Sequence, residues 1–242
     1  MGGFDTGDAV EGAGISPLPP AGAGIALWWC DLEQRARQIA QCAEWLSPGE
    51  RARAARFGTA QLRDRYVAGR TALRFLLAGM LGVAPAAVPL RRGRRGRPEL
   101  EGESMPDFNV SHTHGAALIG VTQDARRMVR IGVDVERLDR AVGADRLARK
   151  FLTANERRSQ SALPLDERVR CFLRYWTCKE AMSKATGDGL TAPFGEMDVR
   201  LGATPRLIDG PPPYAPAAWE LRAVRVPDGF HGTVAVWTRR TG

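Results

Sequence analysis

Two long stretches, 59–81 and 166–186, carry apolar side chains at helical spacing and stop at glycine, with short strand-like segments around both. In the first, Tyr66, Leu73, Leu76 and Leu77 share one side and Gly82 follows. In the second, Gly187 and Gly189 close the pattern. Strand-like segments fall at 24–32, 106–122 (two strands about a polar turn), 130–138, 197–201, 219–226 and 232–238. "HGAALIGVT" (114–122) also resembles "HGTVAVWT" (231–238), and each follows one of the long helices at some distance. The pattern predicts two related α/β halves, 25–125 and 126–242, behind a Gly-, Pro- and Ala-rich flexible leader, 1–24. A start such as "MGGFDT" fits a myristoylation pattern, which we take as chance in such a leader.

Shorter elements complete the outline. "SPGERARAARF" (47–57) opens with Ser47, Pro48 and Glu50, a capping-box helix start. A further helix is expected at 143–150, and "VPLRRGRRGRPELEG" (88–102) reads as a basic loop or edge hairpin.

A chain of 242 residues with 44% apolar and 26% charged side chains has the composition of a soluble globular protein. No apolar run approaches the ~20 residues of a membrane span, and no signal pattern opens the chain, so a cytoplasmic protein without membrane partners is expected. Cys30, Cys42, Cys171 and Cys178 lack CxxC or zinc spacing and read as reduced, buried thiols. The net charge of +8 favours anionic partners.

Lysine is scarce. Of 35 basic side chains only Lys150, Lys179 and Lys184 are lysine, and two of these fall within "RYWTCKEAMSK" (174–184). On a helix, Phe172, Trp176, Glu180 and Lys184 form an i, i+4 ladder whose aromatic members face the core and carry Glu180 inward. A Glu-to-Lys surface pair is the plain alternative, but a compact ammonium also suits a single phosphate oxygen. In "RIGVDVERL" (130–138), alternation sends Ile131, Val133 and Val135 to one side and Gly132, Asp134 and Glu136 to the other. Two carboxylates side by side repel, and a hard cation such as Mg²⁺ relieves that repulsion; Arg130 and Arg137 as counter-ions are the alternative. His112 ends a strand in "NVSH", where ligand-binding groups are commonly presented. His114 and His231 are the other histidines.

"IGVDVE" followed by "WTCKEAMSK" resembles the two signature motifs of the 4′-phosphopantetheinyl transferases, in particular the larger monomeric type that activates polyketide and non-ribosomal peptide synthetases. "LSPGERARAARF", "RGRP" and "FNVSH" extend the likeness in family order over about 46–201. The resemblance implies an α+β fold, a pseudo-symmetric pair of similar halves with the active site in the cleft between them. It implies transfer of phosphopantetheine from coenzyme A to a serine of an apo acyl or peptidyl carrier protein. Asp134, Glu136 and Glu180 would hold Mg²⁺ (or Mn²⁺), and Lys184 would contact the pyrophosphate, with Glu180 as base. His112 and Ser111 would contact phosphate from the other half. Arg53 and Arg97 would serve the 3′-phosphate and adenine end, with Arg56, Arg65 and Arg70 as weaker candidates. Glu50 stands where some relatives carry lysine, so either Arg51 or Arg53 supplies that charge or the contact is missing. "GRP" replaces GKP. Acidic carrier proteins suit the basic surface, and a monomer is expected. A nucleic-acid-binding module and a metal-dependent phosphohydrolase are the competing readings; the resemblance implies no nucleic-acid partner.

Overall fold

The computed structural model describes residues 14–22, 24–122 and 128–239. Four layers stack as helix, sheet, sheet, helix. The first sheet is antiparallel, with β1 (Ile15–Leu18), β2 (Ile25–Asp31), β6 (Ala116–Thr122) and β5 (Phe108–Thr113) in the order β1-β2-β6-β5. The second holds β10 (Trp219–Val224), β11 (Phe230–Thr238) and β7 (Val129–Arg137), in that order. Two small hairpins, β3 (Leu90–Arg92) with β4 (Pro98–Leu100) and β8 (Asp198–Arg200) with β9 (Arg206–Asp209), lie outside the sheets.

The helices are α1 (Leu32–Ala36), α2 (Pro48–Ala54), α3 (Ala60–Leu81), α4 (Ala144–Phe151), α5 (Ala154–Ser161) and α6 (Leu165–Thr186). α3 and α6 have 22 residues each and both end on a left-handed glycine, Gly82 at φ 68° and Gly187 at φ 86°. α3 packs Ala68, Leu73 and Leu77 against Ala117, Ile119 and Val121 of β6. α6 packs Phe172, Leu173 and Ala181 in a core with Leu221 and Ala235.

Between the sheets lies a third cluster, where Leu27, Trp29 and Leu118 meet Ile131, Val133, Val135 and Val234. Each such aliphatic side chain contributes roughly 1.5–3 kcal/mol when taken out of water. The matching segments of the internal repeat are the central strands of the two sheets. The expected fold class, an α+β pair of like halves, is the observed one. The division at 125/126 falls within 123–127, outside the described residues.

The leader needs correction. Ile15–Leu18 is a strand paired with Leu27–Cys30, Ile15 is fully buried, and Ala21 joins the cluster between the sheets. The "MGGFDT" start lies outside the described residues. α5 and β9 are further elements that alternation and helical period do not predict. Among the described residues no helix is long and apolar enough to cross a membrane.

Gly132 sets how closely α6 approaches β7. A Cβ there would stand 1.9 Å from the Ala181 carbonyl oxygen and 2.7 Å from the Ala185 nitrogen, both backbone atoms that cannot step aside. Gly132→Ala should therefore cost about 3 kcal/mol or more, the upper end of overpacking penalties. The urea midpoint measures it; a variant within 1 kcal/mol of the parent would mean the helix gives way easily.

Candidate active site

β7 alternates as expected: the valines and Ile131 enter the core, while Gly132, Asp134 and Glu136 face α6. α6 presents Glu180 and Lys184 one turn apart to that face. Lys184 does not pair with Glu180. Its Nζ donates to Asp134 Oδ1 at 2.6 Å and to Ser111 Oγ at 2.8 Å. The surface-pair reading of Glu180 and Lys184 therefore fails.

Three carboxylates share the space around this lysine. Burial, and then Asp134, raise the Glu180 carboxyl from 4.5 to about 7, against the pull of Lys184; Glu136 adds to the rise. Burial and Asp134 likewise raise Glu136, opposed by Arg140, which donates to its Oε1 at 2.7 Å. Asp134 is 4% exposed, and its Oδ2 is buried without a hydrogen-bond partner.

A cleft of about 1690 Å³ meets this cluster at Glu136. Glu136 and Arg140 line it, as do Arg53 of α2, Arg56 just after that helix, Arg65 and Arg70 of α3, and Arg91 and Arg92 of the β3–β4 hairpin. Asp134, Glu180 and Lys184 are not in the cleft wall itself.

Several of these arginines already have acid partners. Arg65 donates to Glu33 at 2.5 Å and lies against both ring nitrogens of His114. Arg70 is held by Glu50, and Arg91 donates to Glu99 at 3.1 Å. Among the described residues, Arg53, Arg56 and Arg92 face the cleft without a carboxylate partner. Arg53 sits 5.6 Å from the Tyr66 ring centre, and Arg56 turns its Nε to the Ala52 carbonyl.

Glu50 is explained by its neighbours. Its Oε2 receives the Ser47 amide, completing the expected capping box, and the Arg74 Nε at 2.8 Å, while Arg70 takes the other oxygen. The acid fastens α2 to α3 at the edge of the cleft, with both carboxylate oxygens taken by arginines. Arg51 donates to the Leu46 carbonyl and is not in the cleft wall, whereas Arg53 lines it.

His112 lies on the cleft wall, open to water yet hemmed in by protein atoms. That crowding, then the charges of Lys184 and Arg70, lower its imidazole from 6.5 to about 4, so it is neutral near pH 7.

Two expected contacts need correction. Arg97 is 6% exposed and does not line the cleft. Every nitrogen of its guanidinium is engaged by Asp107 or by backbone carbonyls, so it has no solvent-side face for a phosphate. Ser111 is 2% exposed, and its hydroxyl donates to Asp134 while accepting from Lys184 and the Val135 amide. One donor and two acceptor sites are then filled. Ser111 holds Asp134 and Lys184, and His112, its neighbour on the opposite strand face, meets the cleft.

Arg92 and His231 are cleft and cluster residues that the motifs did not single out. Arg92 was one of several arginines in a basic run. His231 is the cross-strand partner of Glu136 on β11, a neighbour that only strand register reveals. Burial, and then Arg174, lower its imidazole to about 4, with Asp134 opposing.

Family models match both parts of the chain. The model for the 4′-phosphopantetheinyl transferase superfamily matches residues 130–235, and that for a 4′-phosphopantetheinyl transferase N-terminal region matches 31–123. The 4′-phosphopantetheinyl transferase HetI of Nostoc sp. is 37% identical over 216 residues, 88% of this chain and 87% of its own length. The chain belongs to the 4′-phosphopantetheinyl transferase family. The 4′-phosphopantetheinyl transferase psf-1 of Bacillus pumilus is 26% identical, with 81% of this chain and 83% of that protein covered. A solved holo-(acyl-carrier-protein) synthase from Bacillus anthracis aligns at a TM-score of 0.36 and 24% identity, covering 46% of this chain and 96% of that one. In this transferase the N-terminal match contains the arginine wall, and the superfamily match contains β7 and α6 with their acids and lysine.

Proposed function

We propose that this transferase takes 4′-phosphopantetheine from coenzyme A and delivers it to a serine hydroxyl of an apo acyl or peptidyl carrier protein, releasing adenosine 3′,5′-bisphosphate. The observation that carries the reading is an arginine-lined cleft that shares Glu136 with a buried group of three carboxylates around Lys184. Arg53, Arg56 and Arg92 offer uncommitted cations to the nucleotide phosphates, and neutral His112 donates or accepts a hydrogen bond toward the pyrophosphate. Lys184 meets the pyrophosphate as a point charge that need not match a planar fork.

A divalent cation belongs to this reading. Among the described residues no group of three His, Cys, Asp or Glu side chains converges with ligand geometry. Asp134 Oδ1 is held by Lys184 and Ser111, and Glu136 by Arg140. The donor set nonetheless fits Mg²⁺ or Mn²⁺: three hard carboxylates in mutual repulsion, one with an unpartnered buried oxygen. Asp134, Glu136 and Glu180 would hold the ion. It would supply positive charge to the pyrophosphate oxygens as they gain electrons.

In the transfer step the serine oxygen bonds to the β-phosphorus and the bridging bond to the nucleotide phosphate breaks. Glu180 accepts the serine proton directly or through water; a bound cation would lower its carboxyl from the raised metal-free position, which favours the route through water. Lys184 stabilises the growing charge.

Incubation with coenzyme A, Mg²⁺ and a panel of apo carrier proteins tests the function: the serine-bearing protein gains the mass of phosphopantetheine. Phosphopantetheine appearing only in solution would mark a hydrolase instead. The metal has its own readout. Glu180 is protonated below pH 7 in the free enzyme, and the ion needs the carboxylate. Mn²⁺ affinity without coenzyme A should therefore strengthen as pH rises from 6 to 8, by isothermal titration. A flat profile would remove Glu180 from the ligand set.

A further inference from the structure

β7 pairs with β11 on one edge only, and its other edge is filled by side chains. Asp107 Oδ2 accepts the Ile131 amide at 2.8 Å, Asn109 Oδ1 the Val133 amide at 3.0 Å, and Ser111 Oγ the Val135 amide at 3.3 Å. Alternate residues at and beside β5 thus stand in for a neighbouring strand. At the start of this row, Arg97 meets Asp107 through two parallel 2.8 Å bonds, and the same guanidinium donates to the Ile131 carbonyl at 2.9 Å. One buried ion pair therefore grips both the N–H and the C=O of Ile131.

The pair also reaches the catalytic helix. In the last turn of α6, the amides of Gly187 and Asp188 both donate to the Ser183 carbonyl. Arg97 Nε takes the next carbonyl, that of Lys184, at 2.9 Å. It caps the helix at the residue whose ammonium reaches Asp134.

We infer that the Arg97–Asp107 pair is a positioning element that fixes Lys184 and the β7 carboxylates relative to one another, and that Arg97 makes no contact with the donor. The planar fork explains why arginine suits this place: lysine can satisfy Asp107 or the Lys184 carbonyl, but it cannot hold both with fixed geometry. Displacement of a reacting group by about 1 Å costs on the order of 100-fold in rate.

Arg97→Lys should lower kcat by about 10- to 100-fold while KM for coenzyme A stays within about threefold. The deciding measurement compares coenzyme A with 3′-dephospho-coenzyme A. Arg53→Ala and Arg92→Ala should shrink the preference for the 3′-phosphorylated donor, whereas Arg97→Lys should keep it. A preference that collapses in Arg97→Lys, or an unchanged kcat, overturns the inference. Should that variant not fold, Asp107→Asn is read the same way; failure of both to fold also overturns it, in favour of a purely architectural role.

The inference rests on coenzyme A being the donor. Hydrogen exchange in 131–135 and 184–188 of the ligand-free variants separates the two claims: protection should fall in both segments together. A parent enzyme that ignores coenzyme A would sink the donor reading alone, and unchanged protection would sink the clamp alone.

Discussion

Glu180→Gln will yield a folded enzyme that still binds coenzyme A but transfers phosphopantetheine about 10²–10⁴ times more slowly, the usual weight of a positioned proton acceptor. Mass gain on an apo carrier protein measures the transfer, and titration calorimetry measures the binding. Near-normal transfer would remove Glu180 from both its roles, as base and as metal ligand.

The same substitution should stabilise the metal-free protein, because the native site buries the Glu180 carboxylate and sets it beside Asp134 and Glu136. Glu180 titrates near 7 in the fold and near 4.5 when unfolded, so the native state holds the proton more tightly. The parent therefore loses stability as pH rises from about 4.5 through 7, and glutamine escapes that loss. With allowance for solvent screening, the gain at pH 8 is on the order of 1–2 kcal/mol, about 2–8 °C in Tm. It should vanish below pH 4.5. A site that gives up stability for its chemistry behaves this way; equal Tm at pH 8 would mean that burial and the neighbouring carboxylates do not disfavour the Glu180 charge.

The second large effect lies away from the cleft. Lys179 is fully buried, and its three donors meet three acceptors: Glu156 Oε2 at 2.6 Å, the Phe194 carbonyl at 2.6 Å and the Phe151 carbonyl at 2.9 Å. Glu156 also receives the amides of Thr153 and Val199, so this pair ties α5, α6 and the β8 segment together. Lys179→Met strands a buried carboxylate and should cost about 3–5 kcal/mol, or roughly 6–20 °C in Tm, by calorimetry. Adding Glu156→Gln should recover part of the loss, since the uncompensated charge is then gone. Loss of under 1 kcal/mol in Lys179→Met would show that the pair is not held as the geometry indicates.

The two motif lysines therefore have different reasons to be lysine. Lys179 needs an ammonium's three donors for three acceptors on separate segments. Lys184 places a compact charge between the Asp134 carboxylate and the Ser111 hydroxyl. Nothing in their identical side chains distinguishes them; their positions on α6 do, one turned into the core and the other toward β7.

Much of the site was legible because its signals are local. Period-two alternation in "RIGVDVERL" put Asp134 and Glu136 on one face, and the i, i+4 ladder carried Glu180 and Lys184 together. The Ser47–Glu50 capping box appeared where the residues called for it. The failures have equally specific causes. α5 is "ANERRSQS", polar on every side, so apolar periodicity is silent, although Thr153 and Glu156 form a capping box. Ile15–Leu18 contains Pro17 and stands in a Gly- and Pro-rich run, yet becomes an edge strand because β2 offers it a partner. Arg97 matched a family position for a phosphate contact, but Asp107 and three carbonyls, two of them far along the chain, claim its guanidinium.

Residue order alone determined the helices with their glycine stops, the faces of β7 and the family motifs, since each depends on neighbours within one or two turns. Only the folded chain decided which arginines keep a free charge, which hydroxyl is already saturated, and that Lys184 pairs with Asp134 and not Glu180. Those outcomes depend on which distant groups arrive first at a donor's limited hydrogen-bonding capacity, and spacing along a chain carries no record of that competition.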